Sequence, residues 1–377
     1  MRRSFLVISC VLACEGGGDS DSTDTSDGTG GPTSSATTVT DASTVGESST
    51  TMTSTTASTS SNPTTTTTVG DESSTSAGDD ESSSTGEPAD TIAVAVGYGT
   101  RRVRSDDGLT WTDFVEVNPD GGDDDELLRG IGWGDGIFLA VGGAGAGFSM
   151  RSFDGITWQD ETHTLNSFVS DVAWQGGTFV AGGGNGLRVR SLDGGVTWQD
   201  QTEYFAGHYR AIAAGNGIFV AVGHTYGDTN DGLIAITVDG ASWDAEQLVG
   251  APYQGLGIAF GAGMFVIRDE DGAVRSSSDG TQWNVATIDA GGGGAVLFAD
   301  GQFVIAGESS FWTSSDGEEW SELAGDVRTP AGWIEGQYLT LGWPATIDAS
   351  SDLQSWQNVF APGGSGLTDI AVGWTGS

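Results

Sequence analysis

The sequence contains no lysine; all 13 basic residues are arginine. Against them stand 52 Asp and Glu in 377 residues, a formal net charge of -39 at pH 7. That balance excludes charge-driven binding of nucleic acid or of an anionic membrane surface, since both need clustered cations to displace counterions. Cysteine is scarce: Cys10 and Cys14 are the only two, too few for a disulfide framework. The three histidines, His163, His208 and His224, are read as belonging to different blades and show no zinc-ligand spacing. Apolar runs are short, and none approaches the roughly 20 residues a membrane-spanning helix needs. Hydrophobic residues are only 37% of the chain, alongside 62 Gly and 13 Trp. This composition argues against a helix-rich enzyme and for short strands joined by many turns.

Residues 1–13 combine Arg2 and Arg3 with an apolar run from Phe5 to Ala13, the pattern of a secretory signal. Val11-Leu-Ala-Cys14 resembles the lipobox of bacterial lipoproteins. That resemblance implies cleavage before Cys14 and diacylation through its sulfur. Cys10 falls inside the signal, so a mature chain keeps a single thiol. Cleavage before Cys10, or simple secretion, is the alternative. Glu15 follows the cysteine where Asp commonly marks inner-membrane retention in that family, so an outer-membrane location is expected.

Residues 14–90 are Ser, Thr, Gly, Asp and Glu with almost nothing apolar, as in Thr64-Thr-Thr-Thr-Thr68. Such a stretch buries too little surface to offset its ordering entropy and reads as a disordered linker. A flexible chain of about 75 residues has an r.m.s. span near 50 Å. The linker would therefore hold a folded domain clear of a membrane.

From residue 91 to 377 one pattern returns seven times. It reads Ser105-Asp-Asp107-Gly108-Leu-Thr-Trp111, then Ser152-Phe-Asp154-Gly155-Ile-Thr-Trp158 and Ser191-Leu-Asp193-Gly-Gly195-Val-Thr-Trp198. Thr237-Val-Asp239-Gly240-Ala-Ser-Trp243 and Ser277-Ser-Asp279-Gly280-Thr-Gln-Trp283 follow. Ser314-Ser-Asp316-Gly317-Glu-Glu-Trp320 and Ser350-Ser-Asp352-Leu-Gln-Ser-Trp356 complete the set. A spacing of roughly 36 to 47 residues is that of a four-stranded propeller blade. Each repeat divides into strands A to D. Pairs such as Asp135-Gly136, Asn216-Gly217 and Asp300-Gly301 form the A–B hairpin turn. Strand B is the most regular, as in Ile137-Phe-Leu-Ala-Val-Gly142. Strand D is expected to begin at the Trp.

The ends of this region complement each other. Thr91-Ile-Ala-Val-Ala-Val-Gly97 matches strand B without a preceding strand A, and Thr368-Asp-Ile-Ala-Val372 matches strand A without a following strand B. The expected fold is an all-β, seven-bladed β-propeller of four-stranded blades closed by the C-terminal strand, which leaves no open sheet edge between its ends. The repeated motifs resemble Asp-boxes, the turns of BNR and sialidase-like propellers, and the shorter spacing resembles propellers described as WD40/YVTN-like. The superfamily serves many tasks, so the resemblance implies fold more than function.

Seven copies at one position are scaffold. Asp107, Asp154, Asp193, Asp239, Asp279, Asp316 and Asp352 are read as turn acceptors for backbone N–H groups, and Trp111, Trp158, Trp198, Trp243, Trp283, Trp320 and Trp356 as inter-blade packing. Arg104, Arg151 and Arg190, which precede three of the turns, are read as structural too. Function belongs on the variable loops. Aligning strand B places Tyr98, His224, Glu270, Glu308 and Trp343 just past its end, while strand A places Arg129 and Arg210 before, and Asp171 and Asp369 at, its first residue. These nine are the candidate binding rim at the D–A/B–C face, which propellers usually use. Aromatics there suit stacking on a sugar, and charges suit orienting it. No metal or other cofactor is expected. Oxygen donors in His224–Gly232 (Asp228, Asn230, Asp231) and in Asp120–Glu126 suit Ca²⁺, but neither segment carries the EF-hand pattern.

The expected function is a non-catalytic binding or assembly module of the cell envelope, a monomer held to the membrane by its lipid anchor alone, with a protein or glycan ligand. The alternative is a glycoside hydrolase, sialidase-like or xyloglucanase-like, using Asp171 and Asp369 as a carboxylate pair, although as residues that start strand A the two are read rather as acceptors for backbone at the D–A corner. Against it, the sialidase Phe-Arg-Ile-Pro motif is absent, and the paired propellers of xyloglucanases would not fit in one chain of this length.

Overall fold

The computed structural model describes residues 90–375 apart from 119–125, 227–230, 248–254, 270–271, 287, 289–290 and 292–293. The expected signal at 1–13, Cys14 and all of the expected linker but residue 90 therefore lie outside the described residues.

Among the described residues twenty-eight strands form seven antiparallel four-stranded sheets, and each sheet is one blade of a β-propeller. In blades 2 to 7 the four strands follow one another along the chain. Blade 2, for example, contains Leu128–Gly134, Ile137–Gly143, Gly147–Ser152 and Trp158–Leu165 as strands A to D. Blade 1 is the exception. Its strands B, C and D are Thr91–Gly97, Arg102–Ser105 and Trp111–Val115, but its strand A is Leu367–Trp374 from the C-terminus. The two ends pair along their length, from Thr91 opposite Trp374 to Gly97 opposite Leu367, and Thr375 N–H donates to the Asp90 carbonyl at 3.1 Å. Each strand A neighbours the strand A of the next blade, and strand A of blade 7 (Pro330–Ile334) returns to that of blade 1, so the ring is closed.

Burial falls from the axis outward, and the sequence follows it. Strand B of blade 2 is buried at every position, which explains its continuous apolar run. The outer strands are short and wet: strand D of blade 5, Asn284–Ala286, has no fully buried residue. In five blades the outer ladder begins one residue after the repeated Trp, at Gln199, Asp244, Asn284, Ser321 and Gln357, rather than at the Trp itself. There the backbone turns the indole into the seam before pairing starts. In blades 1 and 2 strand D does start at Trp111 and Trp158.

Seven apolar clusters occupy the seven seams between blades. Each repeated Trp packs in the seam toward the preceding blade; Trp111, for instance, joins Ile334 and Leu339 of blade 7. Truncating such a residue costs about 3 to 5 kcal/mol. The turn that delivers it follows one plan, and in five blades the Trp closes it on the Gly carbonyl. In blade 1, Ser105 Oγ accepts from Gly108 N–H at 2.8 Å, and Asp107 Oδ1 accepts from Leu109 and Thr110 N–H at 2.8 and 2.7 Å. The Trp111 Nε1–H then closes the turn on the Gly108 carbonyl at 3.2 Å. Two blades differ for visible reasons. The turn of blade 3 has an extra glycine, and Trp198 donates to Ser149 Oγ instead. Blade 7 has Leu353 where the others have Gly; it takes φ +62, and its buried side chain in the blade 6–7 cluster offsets the backbone cost.

A second aromatic set lines the inner ends of the seams. Trp133, Trp174, Phe260 and Phe298 on strand A lie against Gly373, Gly134, Gly215 and Gly261 of the preceding blade's strand A. A Cβ added at Gly134 or Gly261 would come within 2.0 Å of the ring. These glycines are therefore holes for neighbouring aromatics.

Two outcomes follow from this packing. Gly261→Val should lower stability by more than about 3 kcal/mol in denaturant titration, whereas Gly263→Ala, with open space around it, should cost only the roughly 1 to 2 kcal/mol of placing an L residue at φ +82. Acid sensitivity should come from the turns. All seven turn aspartates sit below their ordinary pKa. Asp279 is held down to about 2, chiefly by the Gln282 and Thr281 backbone amides. Burial opposes the shift and is the largest single influence at Asp154 and Asp193, but the summed turn bonds outweigh it. A lowered carboxylate pKa gives stability that is complete above about pH 4 and lost as pH falls toward the folded value. Thermal melts should thus fall steeply between about pH 4 and 2, and Asp279→Asn should shallow that slope.

Candidate functional site

The starts of strands A and the ends of strands B meet on one face, at the mouth of the ring. A β-bulge occurs at the same level of strand A in six blades: the register shifts across Arg129, Ser170, Arg210, Leu256, Ala331 and Thr368. Bulges re-aim side chains. Here they set Arg129 of blade 2 and Arg210 of blade 4 at equivalent positions at the rim, both half-buried.

The residue after the bulge has a different task in blades 1 and 3. Asp171 and Asp369 are 1% and 0% exposed. Asp171 Oδ1 accepts from its neighbour Val172 N–H at 2.7 Å, and Oδ2 accepts from Ile212 N–H of blade 4 at 2.8 Å. Asp369 repeats this with Ile370 and with Ile131 of blade 2, both at 2.8 Å. Strand A is the innermost strand, so these amides have no further strand to pair with, and the carboxylate of the preceding blade takes that place. Thr368 Oγ1 adds a bond to the Leu128 carbonyl at 2.6 Å. The two aspartates are thus stitches between blades, not open ligand-facing groups.

Three of the remaining candidates converge over blades 2 to 4. His224 lies inside strand B of blade 4 (Ile218–Thr225), one residue before its end and not past it as expected, and stands opposite His208 in strand A (Gly207–Gly215). The two imidazoles are 4.6 Å apart, nearly edge to face. Tyr226 lies 5.6 Å from His208 and 5.7 Å from His224, with its hydroxyl 2.9 Å from His208 Nδ1. Phe168, at the entry to blade 3, meets His208 at 6.0 Å and carries the Arg129 guanidinium 4.7 Å over its face. Arg129 is fixed there by Nε–H donation to the Gly143 carbonyl at 2.8 Å. His224 is 5% exposed, and its Nδ1 is buried without a hydrogen-bond partner among the described residues.

Both histidines are held neutral. Burial, then the charges of Arg210, His224 and Arg129, push His208 down to about 3. Burial and Arg210 push His224 down to about 4. Burial raises the Tyr226 phenol, and Arg210 partly opposes it. Arg210 therefore acts on all three rings.

Elsewhere on this face the candidates are scattered. Tyr98 and Trp343 form an edge-to-face pair at 5.7 Å across the blade 7–1 seam, with Trp343 68% exposed. Glu308 is exposed on blade 6. Glu270, Asp228 and Asn230 lie outside the described residues, as do 120–125. Among the described residues no group of three His, Cys, Asp or Glu is placed to hold a metal ion, and no helix is long and apolar enough to cross a membrane. Of the candidates from strand-end alignment, Arg129, Arg210 and His224 come together here, beside Phe168, His208 and Tyr226, which that alignment does not single out. His208 and His224 belong to one blade and not to different blades as expected, because the A–B hairpin register pairs them directly.

No family model and no curated protein matches this chain. Solved structures with partial likeness to the chain include the following. YCF48 bound to D1 peptide aligns at 14% identity and TM-score 0.49, covering 76% of this chain and 89% of that one. The computationally designed Ika8 protein aligns at 14% and 0.48, covering 77% and 98%, and a chain of the mitotic checkpoint complex at 13% and 0.46, covering 64% and 84%.

Two measurements test this account of the face. Asp369→Ala strands the Ile131 and Ile370 amides and should cost about 1 to 3 kcal/mol per orphaned group, without altering any surface property. The histidines add a separate acid effect. Their folded pKa values lie below the ordinary 6.5, so the unfolded chain binds more protons below that pH. Stability should decline from about pH 6.5 toward 4, on the order of a few kcal/mol, and the double variant His208→Gln, His224→Gln should lack that limb.

Proposed function

We propose that the chain is an exported lipoprotein, anchored through Cys14, whose propeller is a non-catalytic recognition module. The linker from residue 14 to 90 carries the ring away from the membrane, and a monomer binds a protein or glycan ligand at the D–A/B–C face. The observation that carries this reading is the cluster over blades 2 to 4. It combines two guanidinium groups, two neutral imidazoles and partly exposed aromatic faces at the mouth of the ring. Groups already held before binding, as Arg129 is by the Gly143 carbonyl, lower the ordering cost of binding.

Hydrolysis finds less support. The carboxylate pair it would use, Asp171 and Asp369, is buried and bonded to backbone amides of two blades. A general acid or nucleophile needs an oxygen within reach of the substrate.

The test is a screen of glycans and envelope proteins against the intact chain. Binding without turnover is expected, and Arg210→Ala should weaken it about tenfold or more. Product formation abolished by Asp171→Asn or Asp369→Asn in a folded variant would overturn the reading. Mass spectrometry of the mature N-terminus should show a diacylated cysteine at position 14; an unmodified or differently cleaved terminus would remove the anchor.

A further inference from the structure

We infer that the cluster over blades 2 to 4 is a subsite for the carboxylate of an acidic glycan, that is, for a uronate residue. The inference rests on the binding reading above and names the ligand chemistry of one part of that face.

Three observations carry it. First, His224 Nδ1 is a buried polar atom with no partner among the described residues, on a side chain 5% exposed. An unpaired buried polar atom is a cost that a bound acceptor removes. The neutral imidazole tautomer with its proton on Nδ1 offers one N–H donor there. Second, among the described residues the formal charges acting on this group are cationic: Arg210 on His208, His224 and Tyr226, and Arg129 on His208. Cations beside neutral imidazoles disfavour a metal ion and favour an anion. Guanidinium groups match a planar carboxylate better than an ammonium does. Third, the ring faces are available. Tyr226 is 46% exposed, and Phe168 is half-buried beside His208. A pyranose presents C–H groups on one face and polar groups at its edge, and aromatic rings next to directed donors suit both.

The chain's net charge of -39 argues against an acidic ligand at long range. Screening decides the matter. At 0.1 M salt the Debye length is about 10 Å, so charges elsewhere on the ring and in the linker are largely masked while contacts within the cluster persist. A peptide is less well served. Extended peptides commonly add to a free strand edge. Here His208 pairs with His224 on one side and bridges Gly184 on the other, so both edges are taken.

The experiment is titration calorimetry of the full chain at 0.1 M salt with trigalacturonate, with the same trimer after carboxyl reduction, and with an acidic hexapeptide. Trigalacturonate should bind at least tenfold more tightly than the reduced trimer. Arg210→Gln and His224→Gln should each abolish that preference, and Tyr226→Ala, at an exposed position, should weaken both sugars. In parallel, the side-chain ¹⁵N resonances of His224 should shift on adding trigalacturonate to the unaltered protein, a readout that does not depend on any variant folding. Equal binding of the two trimers would overturn the uronate assignment while leaving the binding function standing. Binding of the hexapeptide alone would overturn it in favour of a protein ligand. No binding of trigalacturonate and no shift at His224 would overturn it as well, and hits elsewhere in the glycan and protein screen would then show that the broader reading survives.

Discussion

Pairing between Leu367–Trp374 and Thr91–Gly97 is the contact on which the rest of the ring depends. It joins residues nearly three hundred positions apart, so its loop-closure entropy is large, although that cost grows only logarithmically with length. What offsets it is not the one ladder alone. Closing blade 1 also completes the seams on either side of it. The blade 7–1 cluster includes Leu367 and Ile370, and the blade 1–2 cluster includes Ala371. The closing strand further supplies Thr368 and Asp369, whose side chains bind the strand A backbone of blade 2. One strand therefore serves a sheet, two hydrophobic seams and an inner polar stitch.

Much of this was legible in the sequence, because propeller blades repeat and repetition exposes the pattern. The strand B runs were plain since that strand is buried on both faces and reads as continuous apolar residues. The closure was plain since the first repeat lacked a strand A and the last residues matched one. Strand D was the least legible: it is short and mostly exposed, so little in its composition distinguishes it from loop. The aromatic–glycine pairs were hidden as well. Gly261 and Phe298 belong to different repeats, and only the curvature of the ring brings them together.

The candidate site was legible only in part, for a related reason. Alignment of repeats identifies equivalent positions but not which of them face solvent. Asp171 and Asp369 carry carboxylates that bind backbone, as strand-starting residues were read to do, and they turn inward to amides left over by the absence of any strand inside strand A. Conversely, His208 and Phe168 are not singled out by repetition, and they matter because they are neighbours of His224 and Arg129 in space. A chain so rich in acid uses its few arginines at defined places. Arg104 and Arg190 bond near the repeated turns, Arg268 donates to the Ala306 carbonyl, and Arg129 and Arg210 stand at the rim among aromatic rings.

Closure can be tested by removing residues 366–377 and supplying them again as a free peptide. The truncated chain should lose its cooperative thermal transition, and the peptide should restore it in a concentration-dependent manner, as expected for a ligand that binds only the folded ring. A truncated chain that melts as sharply and at the same temperature as the intact protein, indifferent to the peptide, would contradict a ring held shut by its final strand.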